Sequence, residues 1–157
     1  MLKRIAITVI IGILLTFSVS AATVSFYVIE AGMNDEADSK ISGLWETAFM
    51  DVFFDAGYII SNAPVLRLNS SPSNILQVLD FKEAGACGID FMLVVLLDYN
   101  KEFPSPEQAS FYIYKVKKQE KVVERKIRLK PIKTSNREDY NNMKSIARGF
   151  IPYIIGD

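Results

Sequence analysis

The chain has 157 residues, 18 basic and 18 acidic side chains, no histidine and a single cysteine, Cys87. This length corresponds to one domain with one hydrophobic core. The absence of histidine excludes Ser-His-Asp and Cys-His catalytic sites, which need an imidazole base near neutral pH, and one cysteine can form neither an internal disulfide nor a histidine-free zinc site.

Residues 1–21 have the composition of an export signal. Lys3 and Arg4 precede an apolar segment at 5–19, and small residues at 19–21 form a cleavage site. We therefore expect a signal peptide at 1–21 and a single domain at 22–157, located in the periplasm or secreted. The alternative is an uncleaved inner-membrane anchor, because the apolar segment extended to residue 23 approaches the minimum of about 17 residues for a membrane span.

The next predicted elements are a strand at 23–30 and a long helix. The helix begins after a turn at 32–35 that contains capping residues, and it ends near Ala56, where Gly57 supplies a left-handed stop. Its apolar residues recur at helical spacing between Ile41 and Phe53 and cover a full face.

A short strand at 58–60 follows, and then a loop to Pro72 with one extended piece. Ser71 to Ser73 are expected to cap a second helix from about Asn74 to Ala84. Seven consecutive apolar residues at 91–97 predict a central strand covered on at least one face. Cys87, which lies between this helix and this strand, is interpreted as a small buried hydrophobic residue.

The last third of the chain predicts a loop at 101–108, a hairpin of strands at 111–117 and 122–130, and a closing helix. If residues 119–120 form the turn, the register pairs Val116 with Val123, Tyr112 with Ile127 and Lys115 with Glu124. The alternative is a longer loop with a shifted register, because Gln-Glu is not a favoured two-residue turn.

The closing helix is expected to begin with a capping box formed by Ser135 and Glu138. Pro152 must kink or end it near Ile151, and the residues after Pro152 are expected to form an extended tail. The order of all these elements predicts an α/β fold: a single-domain two-layer sandwich with a mixed β-sheet and about three helices mainly on one face.

The sequence contains no catalytic signature. We therefore expect that the protein is not an enzyme and that it has no catalytic residues and no cofactor. Asn34, Glu36 and Asp38 have the spacing of the first ligands of an EF-hand loop, but Ser39 and Trp45 stand where that loop needs glycine and glutamate. No metal site is therefore expected. A hydrolase with an undetected carboxylate pair remains an alternative, since such a pair forms only in the folded chain.

The predicted hairpin provides a first candidate surface for a partner. In the expected register, one face shows interleaved basic and apolar side chains: Lys115, Lys117, Lys126 and Arg128 around Phe111 and Ile113. Such a face can bind anionic lipid, an acidic polymer or an acidic protein, and export argues against nucleic acid. The alternative is a solvated face whose lysines discourage edge pairing.

The long helix provides a second candidate surface, away from its main apolar face. Its residues are Gly43, Thr47, Met50 and Phe54. A glycine inside a helix costs up to about 1 kcal/mol relative to alanine, which close packing would explain. The partner is either another helix of this domain, which we favour, or another protein.

Three segments resemble those of a group of bacterial envelope domains: the helix-to-strand passage at 84–94, the hairpin at 111–129 and the closing helix at 136–151. The group includes the N-terminal domain of the Tol-Pal translocation protein, the curli-secretion lipoprotein, activator lipoproteins of penicillin-binding proteins and some flagellar accessory proteins. The resemblance implies a noncatalytic domain that docks to other envelope components. The chain shows no β-propeller, pore-forming insertion or lipid-acceptor cysteine, so those specialised activities are not expected.

These observations favour an exported noncatalytic protein-interaction module, an adaptor or assembly factor in the bacterial cell envelope, with a flagellar accessory role as one form of it. Its expected partners are envelope proteins. The main alternative is a peripheral binder of anionic lipid or polymer that acts through the basic hairpin.

Overall fold

The computed structural model describes residues 21–33, 40–100, 104–132 and 137–154. The predicted export signal lies outside these residues, apart from Ala21. The acidic residues at 35–38 and Ser135 of the predicted capping box also lie outside them.

The described elements alternate between strands and helices in the first half of the chain and form a hairpin before the last helix. In chain order they are β1 (Thr23–Ala31), α1 (Lys40–Asp55), β2 (Ile59–Asn62), β3 (Leu66–Leu68), a first 3-10 turn (Ile75–Val78), α2 (Phe81–Ala86), β4 (Phe91–Tyr99), β5 (Pro106–Lys115), β6 (Glu120–Arg128), α3 (Arg137–Arg148) and a second 3-10 turn (Ile151–Tyr153).

The strands form one mixed sheet in the order β2-β1-β4-β5-β6. β1 is parallel to β4 on one side, and on its other side it pairs in parallel with β2 through its first half and with β3 through its last residues. β5 is antiparallel to both β4 and β6. This arrangement confirms the predicted single-domain α/β sandwich with a mixed sheet.

The main core lies between the sheet and the two long helices. Alternate side chains of β1 and β4 pack against α1 and α3, since successive strand residues point to opposite faces. Phe49 of α1 is at the centre of this core. Its ring lies within about 6 Å of five other aromatic rings: Phe26, Trp45, Phe53, Phe111 and Phe150.

The opposite face of the sheet carries a smaller core. Met92, Val94 and Leu96 of β4 are buried there beneath Ile75 of the first 3-10 turn and Ala84 of α2. β4 is therefore covered on both faces, which explains its unbroken apolar run.

The predicted second helix is split in two by its own capping residues. The Asn74 side chain accepts a hydrogen bond from the Leu76 amide at 3.0 Å, and the Asp80 side chain accepts one from the Glu83 amide at 2.8 Å. Each caps a separate short element. The expectation that Ser71 to Ser73 cap one continuous helix is wrong.

Cys87 is exposed, which corrects its interpretation as a buried residue. It lies at the carboxyl end of α2, where its amide donates to the Glu83 carbonyl at 3.0 Å. This position lies outside the core that α2 forms through Ala84.

The hairpin has a longer turn and a different register from the expected ones. Its turn spans residues 116–119, with the Gln119 amide bonded to the Val116 carbonyl at 3.1 Å and Gln119 at φ 51°. The observed partners include Ile113 with Val123, Tyr112 with Glu124 and Lys115 with Glu120, and the register shifts between Ile113 and Tyr114. β5 also begins earlier than predicted, at Pro106.

The chain does not end in an extended tail at the last described residues. α3 stops at Arg148, and Pro152 lies in the second 3-10 turn, near the predicted end of the helix. Ile154 is buried, and its carbonyl accepts a hydrogen bond from the Tyr58 hydroxyl at 2.8 Å. Within the described ranges, no helix is long and apolar enough to cross a lipid bilayer.

Candidate functional site

The outer face of α1, defined as Gly43, Thr47, Met50 and Phe54, lies opposite the buried residues of that helix. The side chain of Phe54 is 72% exposed. A Cβ atom added at Gly43 would meet no heavy atom within 4 Å. Close packing against another described part of the domain therefore does not explain this glycine, and the choice between an internal partner and another protein stays a prediction.

α3 packs beside a different side of α1. The Tyr140 hydroxyl donates a hydrogen bond to the Asp51 carboxylate, and the Lys144 ammonium lies 3.4 Å from the same oxygen. The bond from Tyr140 lowers the pKa of Asp51 below its ordinary value of 3.8, and the same bond raises the pKa of Tyr140 to about 12. This contact joins the two long helices, and on the outer face of α1 it leaves Thr47 and Phe54 exposed among the described residues.

The predicted basic surface of the hairpin is not assembled. Phe111 and Ile113 are fully buried in the main core. Lys126 and Arg128 pair with Ser110 and Gln108, on the opposite face of the sheet from Phe111. The separation follows from the register, because a shift of three residues between antiparallel strands reverses which side chains share a face.

The other two bases of that surface lie at the closed end of the hairpin. Lys115 is the last residue of β5 and is partly buried, whereas Lys117 is exposed in the turn. Neither lysine can form a binding surface with Phe111 and Ile113, because both of those side chains are buried in the main core.

A polar cleft opens at the carboxyl ends of β1 and β4, with a volume of about 490 Å³. Its lining comes from four separate segments of the chain: Ala31, Gly32, Asn69, Ser70, Ser71, Asp98, Tyr99, Asn100, Glu107 and Gln108. Sequence reasoning missed this site because no short motif contains it. The available signal was Asp98, a carboxylate that directly follows the apolar run of a central strand.

Backbone contacts hold the two strand ends together beneath the cleft. The Gly32 amide donates to the Leu68 carbonyl at 3.0 Å, and Gly32 has a positive φ of 72°. A Cβ atom at Gly32 would lie only 2.8 Å from the Tyr99 carbonyl oxygen. Glycine is required here both for its backbone conformation and for the close approach of β1 to β4.

Side chains inside the cleft form a loose polar network. The Ser71 hydroxyl donates to the Asp98 carboxylate, and the Gln108 amide nitrogen lies 3.4 Å from the other Asp98 oxygen. The amide nitrogen of Asn100 lies 3.4 Å from a Glu107 carboxylate oxygen. Burial raises the pKa of Asp98, although the bond from Gln108 acts in the opposite direction.

A buried carboxylate lies near the same end of β1. The Glu30 side chain is 0% exposed, and its Oε2 atom is 2.9 Å from Nε of Arg67 in β3. The other oxygen, Oε1, has no hydrogen-bond partner among the residues that the structure describes. Those residues include no group of three or more Asp, Glu, Cys or His side chains that could hold a metal ion.

The chain is similar in fold to three solved structures at low sequence identity. TolB from Acinetobacter baumannii is 11% identical, with a TM-score of 0.49, and the match covers 87% of this chain but only 29% of the TolB chain. A PelC dodecamer from Paraburkholderia phytofirmans is 12% identical, with a TM-score of 0.49 and coverage of 85% and 88%. Lipoprotein GNA1162 from Neisseria meningitidis is 12% identical, with a TM-score of 0.44 and coverage of 86% and 99%.

These similarities concern the fold alone. A comparison with curated protein sequences gives no match. Residues 23–154 match the model of a protein family described as "Uncharacterised protein", and the chain belongs to that family.

Proposed function

We propose that this protein is an exported, noncatalytic interaction module of the bacterial cell envelope, an adaptor or assembly factor that binds another envelope protein through the outer face of α1. The observation that carries the proposal is the exposure of Phe54, beside the partly buried Met50, on a helix whose opposite side fills the core. A helix with apolar residues on both sides is typical of one that is covered on both sides.

The charged residues around this face indicate the charge that a partner surface would carry. Glu46 flanks it on one side, and Asp55 lies on the other side together with Asp51, which is bonded to Tyr140 and Lys144 of α3. Lys40 is the one base of α1. In a symmetric pair of identical faces, Glu46 and Asp55 of each copy would lie near the same acids of the other copy and repel them. The expected partner is therefore a different protein surface, with an apolar centre and a basic margin.

The location and the noncatalytic role rest on the sequence. The export signal predicted at residues 1–21 supports export to the periplasm or beyond, or anchoring in the inner membrane if it stays uncleaved. The absence of histidine removes the usual base of hydrolytic sites. Binding of anionic lipid or polymer by the hairpin has less support, because Phe111 and Ile113, which would complete that surface, are buried.

Site-specific cross-linking in intact cells tests this proposal. A photoreactive amino acid replaces Met50, and the adducts are identified by mass spectrometry with and without the substitution Phe54→Glu. We expect one envelope protein to dominate, and we expect Phe54→Glu to reduce its yield at least about tenfold, because a carboxylate would be buried against an apolar surface.

Leu76→Glu is the matched control, since Leu76 is also an exposed apolar residue but belongs to the first 3-10 turn on the other face of the sheet. It should leave the adduct unchanged. The proposal fails if no specific adduct forms or if both substitutions reduce it equally. A cytosolic partner would contradict export, and an adduct between two copies of this chain would contradict a heterologous partner.

A further inference from the structure

We propose that the polar cleft at the carboxyl ends of β1 and β4 is a saccharide-binding site, in which amide, hydroxyl and carboxylate side chains bond to sugar hydroxyl groups. This inference is independent of the docking role proposed for α1, because the two surfaces are built from different residues.

The topology places a crevice at this point. The chain leaves β1 through α1 and returns to β2 on one side, whereas it leaves β4 directly into β5 on the other side. The two neighbouring parallel strands thus lead away in opposite directions. In doubly wound α/β sheets, ligands bind at the carboxyl ends of strands whose helical connections diverge in this way. Here a hairpin strand follows β4, and the cleft at this edge is observed directly.

The size of the cleft and its lining select the class of ligand. Its volume of about 490 Å³ is within the range of small-molecule sites and much larger than a single cation requires. No lysine or arginine is among the described residues that line it, although Lys126 lies close enough to act on the charge of Asp98. The side chains that line it are mainly amides, hydroxyls and carboxylates. A ligand rich in hydroxyl groups matches this lining, because each hydroxyl both donates and accepts hydrogen bonds.

The hydrogen bonds that the Gln108 side chain makes inside the cleft are long, and hydrogen bonds to such a ligand could replace them. The Gln108 amide nitrogen lies 3.4 Å from both Asp98 Oδ2 and Ser110 Oγ, beyond the usual hydrogen-bond range of about 2.7 to 3.2 Å. Shorter bonds to sugar hydroxyls would replace these weak contacts. Asp98 also gains from a new donor, because burial disfavours its charged form.

Isothermal titration calorimetry of the purified full-length chain tests the proposal with three probes: maltohexaose, cellohexaose and the hexamer of N-acetylglucosamine. We expect saturable binding of at least one probe, with a Kd between about 1 μM and 1 mM. Gln108→Ala should weaken that binding about three- to tenfold, as expected for the loss of one or two hydrogen bonds.

Gln77→Ala is the matched control, since it removes the same amide from an exposed position in the first 3-10 turn. It should leave the affinity unchanged. Asn69→Ala, at an exposed residue of the cleft, provides a second variant if Gln108→Ala lowers the melting temperature. Phe54→Glu should also bind the probe normally, which separates this proposal from the docking role of α1.

The saccharide site is overturned if none of the three probes binds at millimolar concentration, or if Gln108→Ala and Gln77→Ala bind equally well. Tighter binding of calcium chloride or inorganic phosphate than of any sugar, lost in Gln108→Ala, would replace it with an ion site. Release of shorter sugars from a bound probe would support the site but contradict the noncatalytic role.

Discussion

Gly32 lies where β1 leaves the sheet, with a φ of 72° and the Tyr99 carbonyl 2.8 Å from the position of a Cβ atom. Gly32→Ala must therefore strain the backbone and push β4 away. We expect it to lower the free energy of unfolding by about 1 to 3 kcal/mol, measured by urea denaturation.

Gly43→Ala is the matched control for that substitution. Gly43 lies inside α1, and a Cβ atom there meets no heavy atom within 4 Å. Alanine should raise the free energy of unfolding by up to about 1 kcal/mol, because it restricts the unfolded chain. Equal effects of the two substitutions would contradict the different environments that the structure gives these glycines.

For single residues, the sequence predicts backbone conformation better than it predicts side-chain burial. Gly57 was expected to end a helix in the left-handed region, and it has a φ of 87° after α1. Cys87 was expected to be buried, and it is exposed. A local conformation depends on neighbours along the chain, whereas burial depends on which distant segments pack nearby.

Among the elements, α1 and α3 are joined by the hydrogen bond from Tyr140 to Asp51. The lowered pKa of Asp51 means that this bond stabilises the fold above the ordinary Asp pKa of 3.8 and is lost as the pH falls through the lowered value. The raised pKa of Tyr140 means that the bond is fully present below the ordinary pKa of 10.0 and is lost as the pH rises through about 12.

Tyr140→Phe should consequently lower the free energy of unfolding by about 0.5 to 1 kcal/mol at neutral pH, since the bond is partly exposed to solvent. The difference should shrink as the pH falls through the lowered pKa of Asp51. Urea denaturation at neutral pH and at a series of acidic pH values below 3.8 measures it. Tyr153→Phe, at an exposed tyrosine, should show no such pH dependence, and an undiminished effect of Tyr140→Phe in acid would contradict the bond to ionised Asp51.

The hairpin shows why the elements were predicted better than their pairing. Both strands were expected from their composition, and both are present as β5 and β6. Pairing Lys115 with Glu124 favoured a two-residue turn, but the turn spans residues 116–119. Burial of Phe111 and Ile113 fixes the observed register, because burying these two apolar side chains stabilises the fold more than one exposed ion pair does.

For the whole molecule, a single cysteine means that stability comes from packing and not from an internal disulfide. We expect the melting temperature to differ by less than about 1 °C with and without dithiothreitol. Exposed Cys87 should react with iodoacetamide in the folded protein. A higher melting temperature without reductant, absent in Cys87→Ser, would instead reveal a disulfide between two copies.

The sequence by itself determined the strands β1, β4, β5 and β6, the face of α1 that enters the core and the burial of β4 on at least one face, because these follow from apolar periodicity between near neighbours. Only the tertiary structure decided the hairpin register, the exposure of the outer face of α1 and the polar cleft. The cleft brings Gly32, Ser71, Asp98 and Gln108 together from four segments. Their proximity results from strand order and crossover direction, which depend on long-range packing that no local pattern encodes.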